Sequence, residues 1–374
     1  MQLTLQESAL NGLQEDELQL YQRPTERYQY CPMHRLPALA SQEGMSEGCN
    51  PLAGGRAEPC SSCIHTPPEA ECWSAEQAQR ILGQGLRRQL ETASEREVDL
   101  IALLTRRRAA SWVVYVPPRT KLSRPIRWIV ENTWEHVIVL VGHGAEAELE
   151  IEHRAGASLS SHVLDVRLDE HARLTISECE TALSSYAFGA LRAECKAGAR
   201  LQWTGVTAGS DCLRWDLELH LLGEAAEVDV AGLWQLGEGR HAHAHVLMHH
   251  GAPHCTSNQL FKGLHQKGAV SSFSGLIDVE RIAQKTLAYQ LHQSLLLHPS
   301  ARSNSKPSLD IRADDVKASH GSTTGHLESE TLYYLQSRGI PKVQAQQMLA
   351  QAFLAPVLTR LPLHWQLRMQ EGSS

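Results

Sequence analysis

One phrase recurs through the middle of the chain and restricts its fold more than any other feature. A small or turn-forming residue is followed by Ala, and then polar and aliphatic residues alternate. It reads Gly144-Ala-Glu-Ala-Glu-Leu-Glu-Ile151, then His171-Ala-Arg-Leu-Thr-Ile176, then Gly198-Ala-Arg-Leu-Gln-Trp203, and again Ala225-Ala-Glu-Val-Asp-Val230. Strict alternation places every second side chain on one face, so each phrase predicts a strand with one buried side. A turn-plus-strand unit repeated over roughly 200 residues predicts stacked coils, each of which buries its apolar face only against its neighbours. A two-sheet sandwich satisfies the same periodicity, and alternation alone leaves the two open.

The flanks read differently. Leu13 to Tyr21 and Ser74 to Arg108 carry helical periodicity, and Ser74 with Gln77 forms a capping-box start for the second. Between them, residues 41–72 include a Cys-, Pro- and Gly-rich loop. After Gly325 the pattern is helical again, over Glu328 to Arg338 and Lys342 to Arg360, with Gly339-Ile340-Pro341 as the turn and a frayed tail beyond Arg368. The expected organisation is a helical N-terminal region (1–108), a mainly β core (109–326) and a C-terminal helical region (327–374).

Composition removes several functional classes. A formal charge of −7 and only 5% aromatics argue against a nucleic-acid partner, which requires a basic face. The longest apolar runs, such as Val137 to Val141, are too short to span a membrane, and Met1 to Leu20 resembles no targeting peptide, so the expected compartment is cytoplasmic. No P-loop, G-x-S-x-G elbow, H-E-x-x-H helix or G-x-G-x-x-G turn is present, which points away from an enzyme and from ATP binding by this chain. A solenoid enzyme acting on polysaccharide would need a carboxylate or aromatic cleft, and none is evident.

Two clusters carry possible metal chemistry. Five of nine cysteines fall between Cys31 and Cys72. Cys60 and Cys63 form a C-x-x-C pair near His65, with Cys49 and Cys72 on either side, a set able to hold Zn or Fe. Cys31-Pro-Met-His34 is a further possible contributor. A metal-binding redox protein organised by these cysteines is therefore the alternative function. The second cluster is His241-Ala-His-Ala-His245 with His249, His250 and His254; His241, His243 and His245 share one strand face. Cys179, Cys195, Cys212 and Cys255 read as small buried hydrophobes within strands or turns.

Lys306-Pro-Ser-Leu-Asp-Ile-Arg-Ala-Asp-Asp-Val-Lys-Ala-Ser-His-Gly-Ser-Thr-Thr-Gly325 resembles the signature segment of the SufB/SufD family, and its Asp-Asp-Val-Lys wording is similar to the SufD type. Leu327 to Ile340 continues the likeness, Pro253-His-Cys-Thr-Ser-Asn-Gln-Leu-Phe-Lys-Gly263 resembles a second family element, and Pro24 to Tyr30 is a weaker third. The resemblance implies a right-handed parallel β-helix flanked by helices, acting as a scaffold subunit for iron–sulfur cluster assembly. It implies a SufB-like sister chain or a homodimer, a SufC-type ABC ATPase docked on the C-terminal helices, and a transient cluster or iron shared with the partner.

His320 matches the family's interface histidine, implicated in holding iron or a nascent cluster. The chain has Ala318 where many SufD proteins carry cysteine, so thiolates for a cluster would come from the partner. His241, His245, His250 and His254 match family histidines, whereas His243 does not and looks incidental; Cys255 replaces a family threonine. Tyr333, Tyr334, Leu335, Met348, Phe353 and Leu354 are the candidates for the packed or ATPase-facing helix surface.

Overall fold

In the computed structural model the structure describes residues 64–82, 99, 102, 105–106, 109–131, 134–154, 159–181 and 186–371. The repeated phrase marks the corner of a coil. Gly144, His171, Gly198, Ala225 and His254 all adopt left-handed backbone, with φ between 56° and 63°. The residue that follows each of them, Ala145, Ala172, Ala199, Ala226 or Cys255, is fully buried. Left-handed backbone turns the chain sharply, and a small side chain then fits inside the corner. The turn residues are also stitched between coils: Gly144 N–H donates to Glu170 O, His171 to Ala197 O, Gly198 to Glu224 O and Ala225 to Pro253 O.

Among the described residues, eighteen strands follow from this geometry. The first nine are β1 (Ile64–His65), β2 (Glu71–Ser74), β3 (Ser111–Val116), β4 (Ile126–Val130), β5 (Trp134–Val141), β6 (Glu146–His153), β7 (Leu159–Leu168), β8 (Arg173–Glu180) and β9 (Tyr186–Cys195). The rest are β10 (Arg200–Thr207), β11 (Cys212–Leu221), β12 (Glu227–Leu236), β13 (His241–His250), β14 (Thr256–His265), β15 (Val270–Val279), β16 (Leu287–Leu296), β17 (Arg302–Ile311) and β18 (Lys317–Gly325). They form two nine-stranded sheets, β1-β4-β6-β8-β10-β12-β14-β16-β18 and β17-β15-β13-β11-β9-β7-β5-β3-β2. Successive strands alternate between sheets while neighbours within each sheet pair in parallel from β3 onward, so the core is a parallel β-solenoid and not a sandwich of hairpins.

Parallel stacking puts equivalent residues in rows along the axis. Val116, Val141, Leu168, Cys195, Leu221, His250 and Val279 are register partners in one such row. Alternate residues of every strand point inward to one continuous apolar core. Cys195 and Cys255 lie within that core and Cys179 in a second one under the C-terminal helices.

The N-terminal end is closed. The strands β1 and β2 run antiparallel to β4 and β3, finishing both sheets with a hairpin-like edge that the sequence periodicity did not predict. The expected capping box is present: Ser74 N–H donates to Gln77 Oε1 at 3.0 Å and Gln77 N–H to Ser74 Oγ at 3.3 Å. It starts α1 (Ala75–Leu82), and helical backbone recurs at Ala102, Thr105 and Arg106. That later stretch is tied to the outer face of the odd-numbered sheet. Thr105 bonds Ser161 at 2.7 Å, Arg106 pairs with Asp165, and Asp99 pairs with Arg214 at 3.2 Å.

The C-terminal region holds three helices where two were expected: α2 (Ser329–Ser337), α3 (Lys342–Leu358) and α4 (Leu363–Glu371). Gly339, at φ 85°, closes the turn between the first two. Helices α3 and α4 cover the outer face of the even-numbered sheet, where Leu354, Val357, Leu358, Trp365 and Met369 pack on Cys179, Val206, Ala231 and Leu233. Arg360–Asp229 (2.8 Å) and Arg368–Glu152 (2.7 Å) pin the same face, so the tail to Glu371 is docked helix and not frayed. No described helix is long and apolar enough to cross a membrane.

Inward glycines make room for the aromatic interior. A Cβ on Gly232 would stand 2.3 Å from Phe261 Cδ1 and Cε1. Gly232→Val should cost about 1–3 kcal/mol by overpacking, whereas Gly325→Ala, with nothing within 4 Å of its Cβ, should be near neutral. Denaturant midpoints of the two variants check this.

Candidate functional site: a polar seam and an open terminal coil

The solenoid interior is not uniformly apolar. Where the even-numbered strands end and the odd-numbered strands begin, inward positions turn polar and form a seam along the axis. Buried charges require partners in such a setting, and each charge here has them. Trp128 Nε1 donates to Glu135 Oε2 at 2.6 Å. Glu178 accepts from Trp215 Nε1 at 3.0 Å and from Trp203 Nε1 at 3.2 Å, with His153 Nε2 at 3.3 Å. Glu180 accepts from Thr207 and from the Ser210 backbone N–H and hydroxyl.

Further along, the seam becomes neutral. His265 Nε2 meets Ser271 Oγ at 2.7 Å, Ser271 bonds Ser303 at 3.1 Å, and Ser303 bonds Ser294 at 2.7 Å. His292 lies between Ser294 (3.3 Å) and Ser322 (3.5 Å) and stacks on Phe273. Burial, opposing the charged form, holds His265 and His292 down at about 4. Burial would raise the Glu178 carboxyl, but His162 and His153 beside it hold it down at about 2. His153 moves the other way: burial opposes its charge, and the hydrogen bond and charge of Glu178 prevail and raise it.

The seam runs into an end that is open. Among the described residues, strands β17 and β18 each terminate a sheet, with no strand beyond them. In the register Ala288 pairs with Ala318, Gln290 with His320 and His292 with Ser322. His320 thus continues the inward row of Gln259 and Gln290, which are 0% and 3% exposed and bonded to each other at 2.9 Å. His320 itself is exposed because no coil follows. Ala318 lies in the same sheet two residues before it, half-buried against the core. On the outer face of the neighbouring strand, Leu287, Tyr289 and Leu291 are exposed.

The other expected site residues are dispersed. Cys49, Cys60 and Cys63, with Cys31 and His34, lie outside the described residues. Cys72 faces the core from β2, and burial pushes its thiol up to about 11, which disfavours the thiolate a metal needs. Within the histidine row, His241 and His245 are half-buried, whereas His243 is buried, bonded to Ser272 at 2.8 Å and held down by burial at about 3. His243 is therefore a packed ring hydrogen-bonded along the ladder. His250 bonds Ser257 at 2.8 Å, and His254 is the left-handed corner residue.

The six helix residues divide in two. Tyr333, Tyr334 and Met348 are exposed, Leu335 is half-buried, and Phe353 and Leu354 pack inward, Phe353 beneath the Lys262 ammonium at 4.2 Å. Sequence reasoning missed His153, His162 and Glu178. The signal was present: Glu178 and Glu180 continue the inward period of Leu174 and Ile176, so a carboxylate stood where an apolar residue was due.

Taken together, the fold and its terminal coil define a parallel β-solenoid protein with helices docked on one face and with β17 and β18 ending the sheets at the C-terminal end of the described solenoid. The profile of the family described as "SUF system FeS cluster assembly, SufBD core domain" matches residues 129–353. An iron-sulfur cluster assembly SufBD family protein of Mycobacterium tuberculosis is 30% identical over 264 residues, covering 67% of this chain and 66% of that protein. One from Synechocystis sp. is 30% identical over 276 residues, 68% of this chain and 60% of the relative. A second M. tuberculosis relative is 29% identical over 213 residues, 57% of this chain and only 25% of its own length. The chain belongs to the SufBD family of the SUF iron–sulfur cluster assembly system. It spans just under two thirds of the first of these relatives.

The buried imidazoles set a pH dependence. The His292 ring binds its proton at about 4 when folded against an ordinary value of 6.5, so the unfolded chain takes up protons first as pH falls. Stability from this ring is complete above pH 6.5 and is lost as pH drops toward 4, on the order of 3 kcal/mol over the window. Guanidinium unfolding between pH 7 and 4.5 should show His292→Gln losing less stability on acidification than the parent; equal slopes would contradict the assignment.

Proposed function

We propose that this chain is a non-catalytic, SufD-type scaffold subunit of a cytoplasmic iron–sulfur cluster assembly complex. The observation that carries the reading is the open terminal coil. Two unpaired strand edges lie side by side, and an exposed histidine stands at an inward-facing position. Unpaired backbone N–H and C=O groups on an edge strand are a template for another chain. A SufB-like sister chain, or a second copy, extends both sheets across β17 and β18. Contact of the two ends buries His320, whose imidazole then suits borderline iron. Because position 318 is Ala, the thiolates for a nascent cluster come from the partner. Iron and the cluster are cargo on this complex.

The docking of a SufC-type ABC ATPase is assigned to the exposed side of α2 and α3. Tyr333 and Tyr334 are 73% and 56% exposed on a short helix that contributes no buried residue, and Val343 and Met348 continue the apolar surface. Tyrosines of this kind make strong interface anchors. Phe353 and Leu354 instead fasten the helices to the solenoid.

Pull-down of the full chain from native cells should recover an ABC-type ATPase and a SufB-like chain; recovery of neither would sink the reading. His320→Ala should lower cluster assembly by the complex several-fold with complex formation intact, and an unchanged rate would remove His320 from the site. Tyr333→Ser with Tyr334→Ser should weaken ATPase binding by about 1–2 kcal/mol, roughly tenfold in Kd, without shifting the thermal midpoint of the chain.

A further inference from the structure

Far from the terminal coil, the charged part of the seam brings three metal-ligating side chains together. His153 ends β6, His162 lies near the start of β7, and Glu178 lies in β8, so consecutive strands on both sheets deliver them to one corner. One donor atom from each falls within 4.8 Å of the other two. All three are buried, at 5%, 2% and 3% exposure. His153 Nε2 and His162 Nε2 stand 3.3 Å and 3.7 Å from the same carboxylate oxygen, Glu178 Oε1. Metal–ligand bonds of about 2.0–2.1 Å in tetrahedral array hold neighbouring donors about 3.4 Å apart, close to the two distances to Glu178 Oε1.

One observation points to an occupant: His162 is buried and aimed into the cluster, yet its Nε2 stands 3.7 Å from Glu178 Oε1, beyond hydrogen-bond range. The imidazole is seated against Gly189, where a Cβ would stand 2.7 Å from His162 Cε1 and 3.1 Å from Nε2. Around them the carboxylate is fixed by two indole N–H donors, Trp203 to Oε2 and Trp215 to Oε1, an arrangement that orients a ligating carboxylate. A proton on His153 would balance the Glu178 charge but would leave His162 unused.

We propose that His153, His162 and Glu178 form a buried two-histidine, one-carboxylate site for a divalent first-row transition metal, taken up as the solenoid folds. The donor set suits zinc or iron(II), which accept imidazole and carboxylate together. The site lies within the coils of β6 to β8, so it is separate from His320 and does not depend on any partner chain. Its ion would cross-link three consecutive strands from inside.

Complete burial dictates the test, since metal enters with folding. The full chain is unfolded in guanidinium with chelator and refolded anaerobically with zinc alone or iron(II) alone. It is then stripped over chelating resin and its metal content measured. The parent and a Cys49/Cys60/Cys63/Cys72→Ser variant should each keep one resistant equivalent and show a metal-dependent rise in Tm. His162→Gln and His153→Gln should lower retention about tenfold or more and lose that rise. Gly189→Ala, which keeps every donor and fills the space beside His162, should also lose the metal, and it serves where a histidine variant fails to fold. A folded parent without resistant metal, or retention undiminished in folded His162→Gln or in Gly189→Ala, overturns the site.

Discussion

The structure depends on the backbone ladder between coils. An isolated coil cannot satisfy its own amides or bury its own apolar face, so each coil is stable only against the next. The spacing of that ladder is held by corner residues in left-handed backbone, whose N–H groups reach into the following coil. Five of these residues are not glycine: Arg119, His171, Ala225, His254 and Lys285. They accept a conformation that disfavours a Cβ by about 1 kcal/mol, which the inter-coil hydrogen bonds and the buried corner side chain offset. Coil length varies within this rule. Ladder partners lie 27 residues apart at Glu180–Thr207, 29 at His249–Asp278 and 31 at Gln259–Gln290, and the added residues fall in the turns.

A ladder of this kind has to stop twice, and the two ends stop differently. At the N-terminal end, β1 and β2 reverse direction and pair antiparallel, so the first coil is covered by the chain's own residues. At the other end the chain leaves β18 for helices that fold back along the outer face of the even-numbered sheet and do not cross the coil's end. The burial of the strands reflects this asymmetry: β7 and β9 are buried almost throughout, whereas β17 and β18 have no fully buried residue. Length and exposure of this sort are an aggregation hazard unless a partner completes the sheets. The two ends of the described solenoid therefore differ in how far their strands are buried.

Much of the fold was legible because local chemistry and tertiary role coincide in the repeated phrase. Gly144-Ala, His171-Ala, Gly198-Ala and Ala225-Ala each pair a corner with the small residue inside it, and the same logic explains why Cys255 stands where Ala stands elsewhere. Ser74 and Gln77 were legible for the same reason, since a capping box is satisfied within four residues. The antiparallel strands were not, because Ile64–His65 is too short to show a period and its partner Trp128–Arg127 is remote in sequence. Helix α4 was hidden by its weak amphipathicity, although Trp365 and Met369, four apart, are the pair that docks it. The candidate residues divided likewise. His320 was singled out through a long ordered segment, while His153, His162 and Glu178 come from three strands of two adjacent coils and converge only in space.

The polar seam limits what the interior can be used for. A β-solenoid gains nothing from interior carboxylates, since burying Glu178 and Glu180 costs several kcal/mol that pairing must recover. Replacement by the Val and Leu that fill the opposite corner would remove the cost. Their presence is compensated at each step, first by indoles and imidazoles around Glu178, then by hydroxyls around Glu180, then by neutral histidine–serine pairs toward β18. Carboxylates thus give way along the axis to hydroxyls and imidazoles toward the open end, where the last members are Ser322 and His320. A buried carboxylate in the last coil would have no coil beyond it to supply a partner among the described residues. The order of residues along the seam therefore lets the described solenoid end without an unpaired interior charge.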